Sequence, residues 1–222
     1  MSETRIKRRK FLLIAGGVVG VSALACAGLA LAGGKKPEIN FINTSYGEEN
    51  EMQKKILVTY ASRAGSTAGV ADAIGKKLAA GGAPVDVKKM DAVTDLSQYS
   101  AVVAGSAIRG SKWLPEGMEF LRVHKTELGS KPFAAFMVCI TLAMKNGDQY
   151  REGLKDWMQP VRSVVKPVNE GYFAGALDLS KLSGMDKLTM GAAATMGVFP
   201  KGDFRDWKAI EGWAESILPR LG

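Results

Sequence analysis

From residue 55 onward the chain alternates between short unbroken apolar runs and longer stretches whose apolar side chains recur every three or four positions. Residues 55–60 (Lys-Ile-Leu-Val-Thr-Tyr) form the continuous run expected of a strand buried on both faces. Over 67–80, Val70, Ile74 and Leu78 fall at i, i+4 and i+8, and Ala71 widens the stripe, which predicts a helix ended by Gly81-Gly82. Residues 85–89 alternate Val85 and Val87 with Asp86 and Lys88, the pattern of an edge strand with one wet face. Further strands are predicted over 101–105, 133–140 and 168–176. A helix is expected from Pro115 to Leu128, stopped by Gly129, and a polar helical region over 148–165. A last helix is predicted from Asp203 as N-cap, with Asp206 in its first turn and Trp207, Ile210, Ala214, Ile217 and Leu218 sharing one face.

Strict alternation of strands and helices implies an α/β domain with a five-stranded parallel sheet, strand order 2-1-3-4-5, and helices on both faces. In such a sheet ligands bind beyond the carboxyl ends of the strands, where the winding direction reverses between strands one and three. The loops that meet there are 61–67, 106–113 and 141–147.

The pattern upstream of residue 55 is of another kind. Residues 11–32 are 22 consecutive uncharged positions, enough to cross a bilayer as one apolar helix. Arg5, Lys7, Arg8, Arg9 and Lys10 precede them and only Lys35 and Lys36 follow closely, so the positive-inside bias places the globular domain on the extracytoplasmic side, exported or membrane-anchored. Arg8-Arg9-Lys10-Phe11-Leu12 resembles a twin-arginine export signal, and Ala30-Leu31-Ala32 reads as a cleavage site. A cleaved signal and a retained anchor both fit. The chain thus divides into a signal or transmembrane segment (1–34), a linker broken by Gly33-Gly34, Pro37 and an acidic cluster (35–54), and one domain (55–222).

Charge and composition narrow the chemistry. Of the net charge of +8, +5 falls within residues 1–44, so residues 45–222 carry only +3 and show no basic stripe suited to nucleic acid. The chain has two cysteines, Cys26 and Cys139, and one histidine, His124, which excludes a disulfide framework and a multi-histidine metal site. Cys139, at a strand end, reads as a small buried hydrophobe, and His124, late in a helix, as a favourable charge at its C-terminus. Redox or transfer chemistry here calls for an organic cofactor.

The loop after the first strand supplies a place for one. Ser62-Arg63-Ala64-Gly65-Ser66-Thr67 joins a buried strand to a helix, so backbone N–H groups, hydroxyls and a positive helix end converge on one point, the natural seat of a phosphate. The glycine pattern of a dinucleotide site and the Gly-Lys-Ser/Thr of a nucleotide triphosphate loop are both absent.

That hexapeptide resembles the flavodoxin phosphate loop, with Ala64 standing where the family pattern has a middle hydroxyl. Gly105-Ser106-Ala107-Ile108-Arg109-Gly110, the stretch from Phe120 to His124, Lys131-Pro132-Phe133-Ala134-Ala135-Phe136, Ala174-Gly175-Ala176-Leu177 and Asp206-Trp207 are similar to the menaquinone-dependent protoporphyrinogen IX dehydrogenases, a flavodoxin-fold branch. The resemblance covers about residues 55–218, and the N-terminal extension departs from it. It implies a flavodoxin-like three-layer sandwich and FMN as cofactor. Residues 62–67 would hold the phosphate, and Ser106, Ala107, Ile108, Arg109, Gly110, Trp113 and Thr141 would border the flavin. Arg109 and Lys112 either meet propionates of a porphyrin or form a solvated turn. Trp113 either stacks on the ring or packs in the core. Two functions follow: an FMN-dependent dehydrogenase delivering electrons to membrane quinone, or an exported flavodoxin passing single electrons between redox proteins.

Overall fold

A computed structural model describes residues 37–39, 41–48, 54–145 and 147–222. The apolar stretch 11–32 and the arginine pair lie outside the described residues. Among the described residues no helix is long and apolar enough to cross a membrane.

The described chain runs through β1 (Thr44–Tyr46), β2 (Lys55–Ala61), α1 (Ser66–Ala80), β3 (Val85–Lys89) and β4 (Tyr99–Arg109), which turns back on β5 (Lys112–Trp113). There follow α2 (Pro115–Val123), α3 (Lys125–Gly129), β6 (Phe133–Cys139), α4 (Gly147–Leu154), α5 (Gln159–Val164) and β7 (Asn169–Ala174). The chain closes with β8 (Ala176–Leu177), α6 (Gly184–Thr195), β9 (Gly202–Asp203) and α7 (Trp207–Ile217). Strands β3, β2, β4, β6 and β7 are neighbours in that order and all parallel, which is the predicted 2-1-3-4-5 winding.

The sheet separates two apolar layers. On one face, Val70, Ile74 and Leu78 of α1 and Ile210, Ala214 and Ile217 of α7 pack on Val58, Tyr60, Val103 and Phe136. On the other, Leu121, Leu128, Met158 and Val161 cover Leu57, Val102, Ala135 and Met137. Because both faces are covered, the central strands carry apolar side chains in both directions. Gly105 serves this packing: a Cβ there would lie 2.0 Å from the Phe136 ring, so only glycine lets that ring lie flat on β4.

Several elements differ from their sequence expectation, each for a physical reason. β3 is not an edge strand, because β1, inside the stretch read as a linker, pairs antiparallel with it. The Asp86 face is therefore dry: Asp86 is 2% exposed and takes hydrogen bonds from Ser45 Oγ (2.7 Å) and the Tyr99 hydroxyl (2.8 Å), with Lys88 Nζ at 3.1 Å. The helix expected over 115–128 breaks at His124, whose ring lies buried between the two pieces with Nδ1 2.9 Å from Glu127 Oε2. The polar region after β6 forms α4, a 3₁₀ turn and α5 rather than one helix. Asp206, not Asp203, caps α7, accepting from Ala209 N at 3.0 Å. Trp207 leaves the core face and lies under Arg205, 41% exposed. Helix α6 has no counterpart in the sequence reading, because its Gly-Ala-rich stretch lacks an apolar stripe of core width.

Candidate functional site

The register brings the three expected loops together. Ala61, the last residue of β2, lies beside Ser106 of β4, and Ala107 lies beside Val138 of β6. The 62–65 loop, the β4–β5 hairpin and the turn after β6 therefore share the carboxyl end of the sheet. Winding reverses between β2 and β4: α1 packs on one face and α2 on the other, leaving a crevice between the two loops.

The loop after β2 is shaped by one glycine. Gly65 has φ +83°, a left-handed conformation that strains any other residue, and it precedes the first turn of α1. Its N–H donates to Ser62 Oγ at 3.1 Å, which closes the loop on itself. The start of α1 has no side-chain cap and no acidic residue in its first turn, so its positive end is unneutralised. Thr67, in that turn, is fully buried, and its Oγ1 has no hydrogen-bond partner. A buried orphan hydroxyl costs roughly 1–3 kcal/mol unless a ligand supplies the missing partner. An anion seated at the helix end supplies it, and the donors present suit the terminal phosphate of a flavin mononucleotide.

The other predicted site residues divide. Arg63 lies at the loop rim, its Nε 3.6 Å from Glu116 Oε1, and Ala64 beside it is half-buried and brings no hydroxyl. Ser66 belongs to the loop, but its Oγ accepts the N–H of Ala176 at 2.9 Å and pins the exit of β7 to α1. Ser106 is likewise committed: its Oγ accepts from Leu114 N at 3.0 Å and donates to Ala107 O at 2.8 Å.

The 106–110 stretch is strand rather than loop, since β4 continues to Arg109 and turns through Gly110 (φ +56°) and Ser111 (φ +63°) into β5. Two successive positive φ angles match the twist of a two-residue hairpin. Ala107 and Ile108 are thereby held in a ladder, with Ile108 paired to Trp113 and Arg109 to Lys112. Arg109 forms an ion pair with Asp186 of α6. Trp113 takes the core alternative: it is 4% exposed and its Nε1 donates to Met158 Sδ at 3.2 Å. Lys112 is exposed on the rim of a groove between α2 and Pro160 that also holds Glu116, Glu119 and Arg122. Thr141 sits half-buried in a 3₁₀ turn at the end of β6, on the far side of the same crevice. Cys139 is buried at 4% exposure, as a structural thiol would be.

Three residues that the sequence did not single out reach the loop or the hairpin beside it. Ile39 Cγ2 lies 3.4 Å from where a Gly65 Cβ would be. Arg205 places Nη1 3.5 Å from Ser66 O, in space that Gly69 leaves open, since a Cβ there would sit 2.3 Å from that nitrogen. Asp186 reaches the hairpin through Arg109. All three are far from the loop in sequence, and no local motif marks them. Among the described residues no cluster of His, Cys, Asp and Glu could hold a metal ion.

No curated protein matches the chain. Solved structures with a similar fold include a short-chain flavodoxin associated with a non-canonical PDU bacterial microcompartment (12% identity, 77% of this chain and 100% of that one, TM-score 0.49). They also include flavodoxin 2 from Bacillus cereus (21% identity, 64% and 97%, TM-score 0.42). A third is a variant of Fusobacterium nucleatum flavodoxin bound to flavin mononucleotide (14% identity, 78% and 100%, TM-score 0.44). The family described as the flavodoxin domain matches residues 57–200, from β2 through α6. The chain belongs to the flavodoxin domain family.

Proposed function

We propose that this protein is a membrane-associated FMN oxidoreductase that takes electrons from a conjugated organic donor of the protoporphyrinogen type and delivers them to a quinone. FMN is its cofactor. The observation that carries the reading is the buried, unpartnered hydroxyl of Thr67 at an uncapped helix start, in a loop that Gly65 bends inward. Bound there, FMN supplies a redox-active ring that exchanges electrons with organic donors and quinones. The chain's own residues bind and orient: the first turn of α1 and Thr67 hold the phosphate end, the 110–111 turn borders the ring on one side, and the turn bearing Thr141 borders it on the other. Lys112, exposed on one rim, offers a cation to a carboxylate of a donor. Residues 11–32 keep the domain at the bilayer that dissolves the quinone.

The test has two stages. The purified full chain is expected to show flavin absorption bands or to acquire them with added FMN. The loaded protein is then given protoporphyrinogen IX and a menaquinone analogue, and porphyrin fluorescence should rise above the rate without protein. Loading with no fluorescence gain removes the donor assignment and leaves a flavin redox protein. A second reading, a carrier of electrons between redox proteins, draws on the two side chains engaged internally: Arg109 with Asp186 and Trp113 with Met158. Under it, loaded protein reduces a redox-protein partner but is indifferent to the porphyrinogen.

A further inference from the structure

We propose that the carboxyl end of the sheet faces the bilayer, with the exposed stripe of α6 resting in the lipid interface. The inference rests on the membrane-associated reading above and adds to it an orientation and a contact surface.

The first argument is where the chain enters the domain. β1 runs antiparallel to β3, with Tyr46 opposite Val85 and Thr44 opposite Val87. Followed backward from Thr44, the chain travels toward the carboxyl end of β3. Ile42 O takes the Tyr60 hydroxyl at 2.8 Å, beside the end of β2. Phe41 lies beneath Lys89 Nζ, 4.7 Å from its ring centre, at the last residue of β3. Ile39 then packs against Gly65 in the phosphate loop. The described chain therefore begins beside the cofactor site. Only residues 33–36 separate it from the apolar run 11–32. Four extended residues reach about 14 Å, so the surface from which that run emerges lies within one short tether of this end of the sheet.

The second argument is what this end presents. Helix α6 buries a single side chain, Ala193. Met185 (44% exposed), Leu188 (45%) and Met196 (67%), just past its C-terminus, are open to solvent. With exposed Ala192 they recur at spacings of three, four and four, one continuous apolar stripe along the helix. The ion pair between Arg109 and Asp186 fixes the start of α6 to the β4–β5 hairpin, at the same end where the chain enters. Asp186, the one acid of α6, is engaged by Arg109, while Lys181, in the turn just before the helix, is exposed. An exposed face of Met, Leu and Ala on a helix whose one acid is tied up elsewhere suits the lipid interface. This orientation also turns the flavin end toward a lipid-dissolved acceptor.

The full chain is reconstituted into phosphatidylethanolamine–phosphatidylglycerol vesicles, with Cys26→Ala leaving only buried Cys139 as background thiol. A fluorophore is attached at Leu188→Cys, Met196→Cys or Val123→Cys in separate samples. Val123, 66% exposed at the far end of α2, is the control, because α2 starts at the cofactor end and runs away from it. Nitroxide-labelled lipids are expected to quench the first two probes at least about threefold more than the third, as a helix seated a few ångströms into the headgroups requires. Equal quenching at all three sites overturns the inference. So does a probe at 188 shielded from water but not quenched by lipid, which assigns the stripe to a second copy of the chain. Loss of the full chain from washed vesicles removes the anchor and the orientation together. Flavin absorbance in the same samples reports the cofactor reading separately.

Discussion

Asp86 and Thr67 are both buried polar side chains next to the central strands, and they are finished differently. Asp86, toward the amino end of β3, has its oxygens occupied by Ser45, Tyr99 and Lys88, with Lys55 Nζ at 3.6 Å. Thr67, at the carboxyl end, has no partner at all. Buried polar groups are almost always satisfied in native proteins, and a satisfied network rigidifies the structure around it. The Asp86 network clamps β1, β3 and β4 together. The hydroxyl of Thr67 serves nothing inside the domain. One site belongs to the fold, and under the proposed function the other waits for a ligand. The contrast predicts that stability and FMN affinity respond to different residues.

The largest effect is expected at Asp86, the site the fold itself satisfies. Asp86→Ala leaves Lys88 without its carboxylate and the Tyr99 hydroxyl without its acceptor, which should cost on the order of 3–5 kcal/mol of stability. Urea denaturation of the FMN-free protein measures this, and the FMN dissociation constant of the fraction that stays folded should be unchanged. If FMN affinity falls in step with stability, the separation of the two ends fails. Thr67→Val tests the other side. The valine keeps the shape and removes the hydroxyl, so FMN should bind about tenfold more weakly, roughly 1.4 kcal/mol, while the FMN-free protein should be no less stable than the parent. Unchanged affinity would mean that the phosphate does not sit against α1.

These two residues also show how much was legible beforehand. The loop that carries Thr67 was visible in the sequence because strand, small-residue loop and helix are contiguous. The five-strand order was visible for a related reason: unbroken apolar runs alternating with helical stripes fix a doubly wound sheet. Asp86 was misjudged because alternation alone implies a wet face. What dries it is a three-residue strand across a gap of 41 positions, Ser45 to Asp86, which no local pattern marks. Trp113, Ser66 and Ser106 belong to the same class, since their partners Met158, Ala176 and Leu114 emerge only from folding. Helix α6 escaped notice because a helix that buries one residue need not have a stripe of core width.

A smaller effect concerns acid. Burial alone would push the Asp86 carboxyl up, but hydrogen bonds from Ser45, Tyr99 and Lys88, together with the Lys88 charge, outweigh it and hold the group below the usual carboxylate range. A carboxylate depressed in the folded state contributes stability above the pKa of the unfolded chain, and that contribution is lost as pH falls through the folded value. The acid limb of a stability–pH profile should therefore be shallower for Asp86→Asn than for the parent. Thr67→Val should keep the parent slope. Parallel acid limbs for Asp86→Asn and the parent would place the acid sensitivity elsewhere.

The smallest effect sharpens the comparison most, because a second orphan exists. Thr59, inside β2, is also fully buried with an unpartnered Oγ1. Its backbone lies between Lys88 and Ala104 in the sheet, well before the strand reaches the loop. If an unpartnered hydroxyl always signalled a ligand, Thr59→Val would weaken FMN binding as Thr67→Val does. Its position argues otherwise: β3 and β4 flank it, and apolar layers close both faces of the strand. Valine has nearly the same volume and a strong strand preference, so the exchange removes an unsatisfied group without opening a cavity. Stability should rise by about 0.5–1 kcal/mol, read from the urea midpoint, while FMN affinity stays at the parent value. A loss of FMN affinity at one and not the other of two threonines that look alike by burial would show that place in the winding, not burial, separates a binding group from a packing defect.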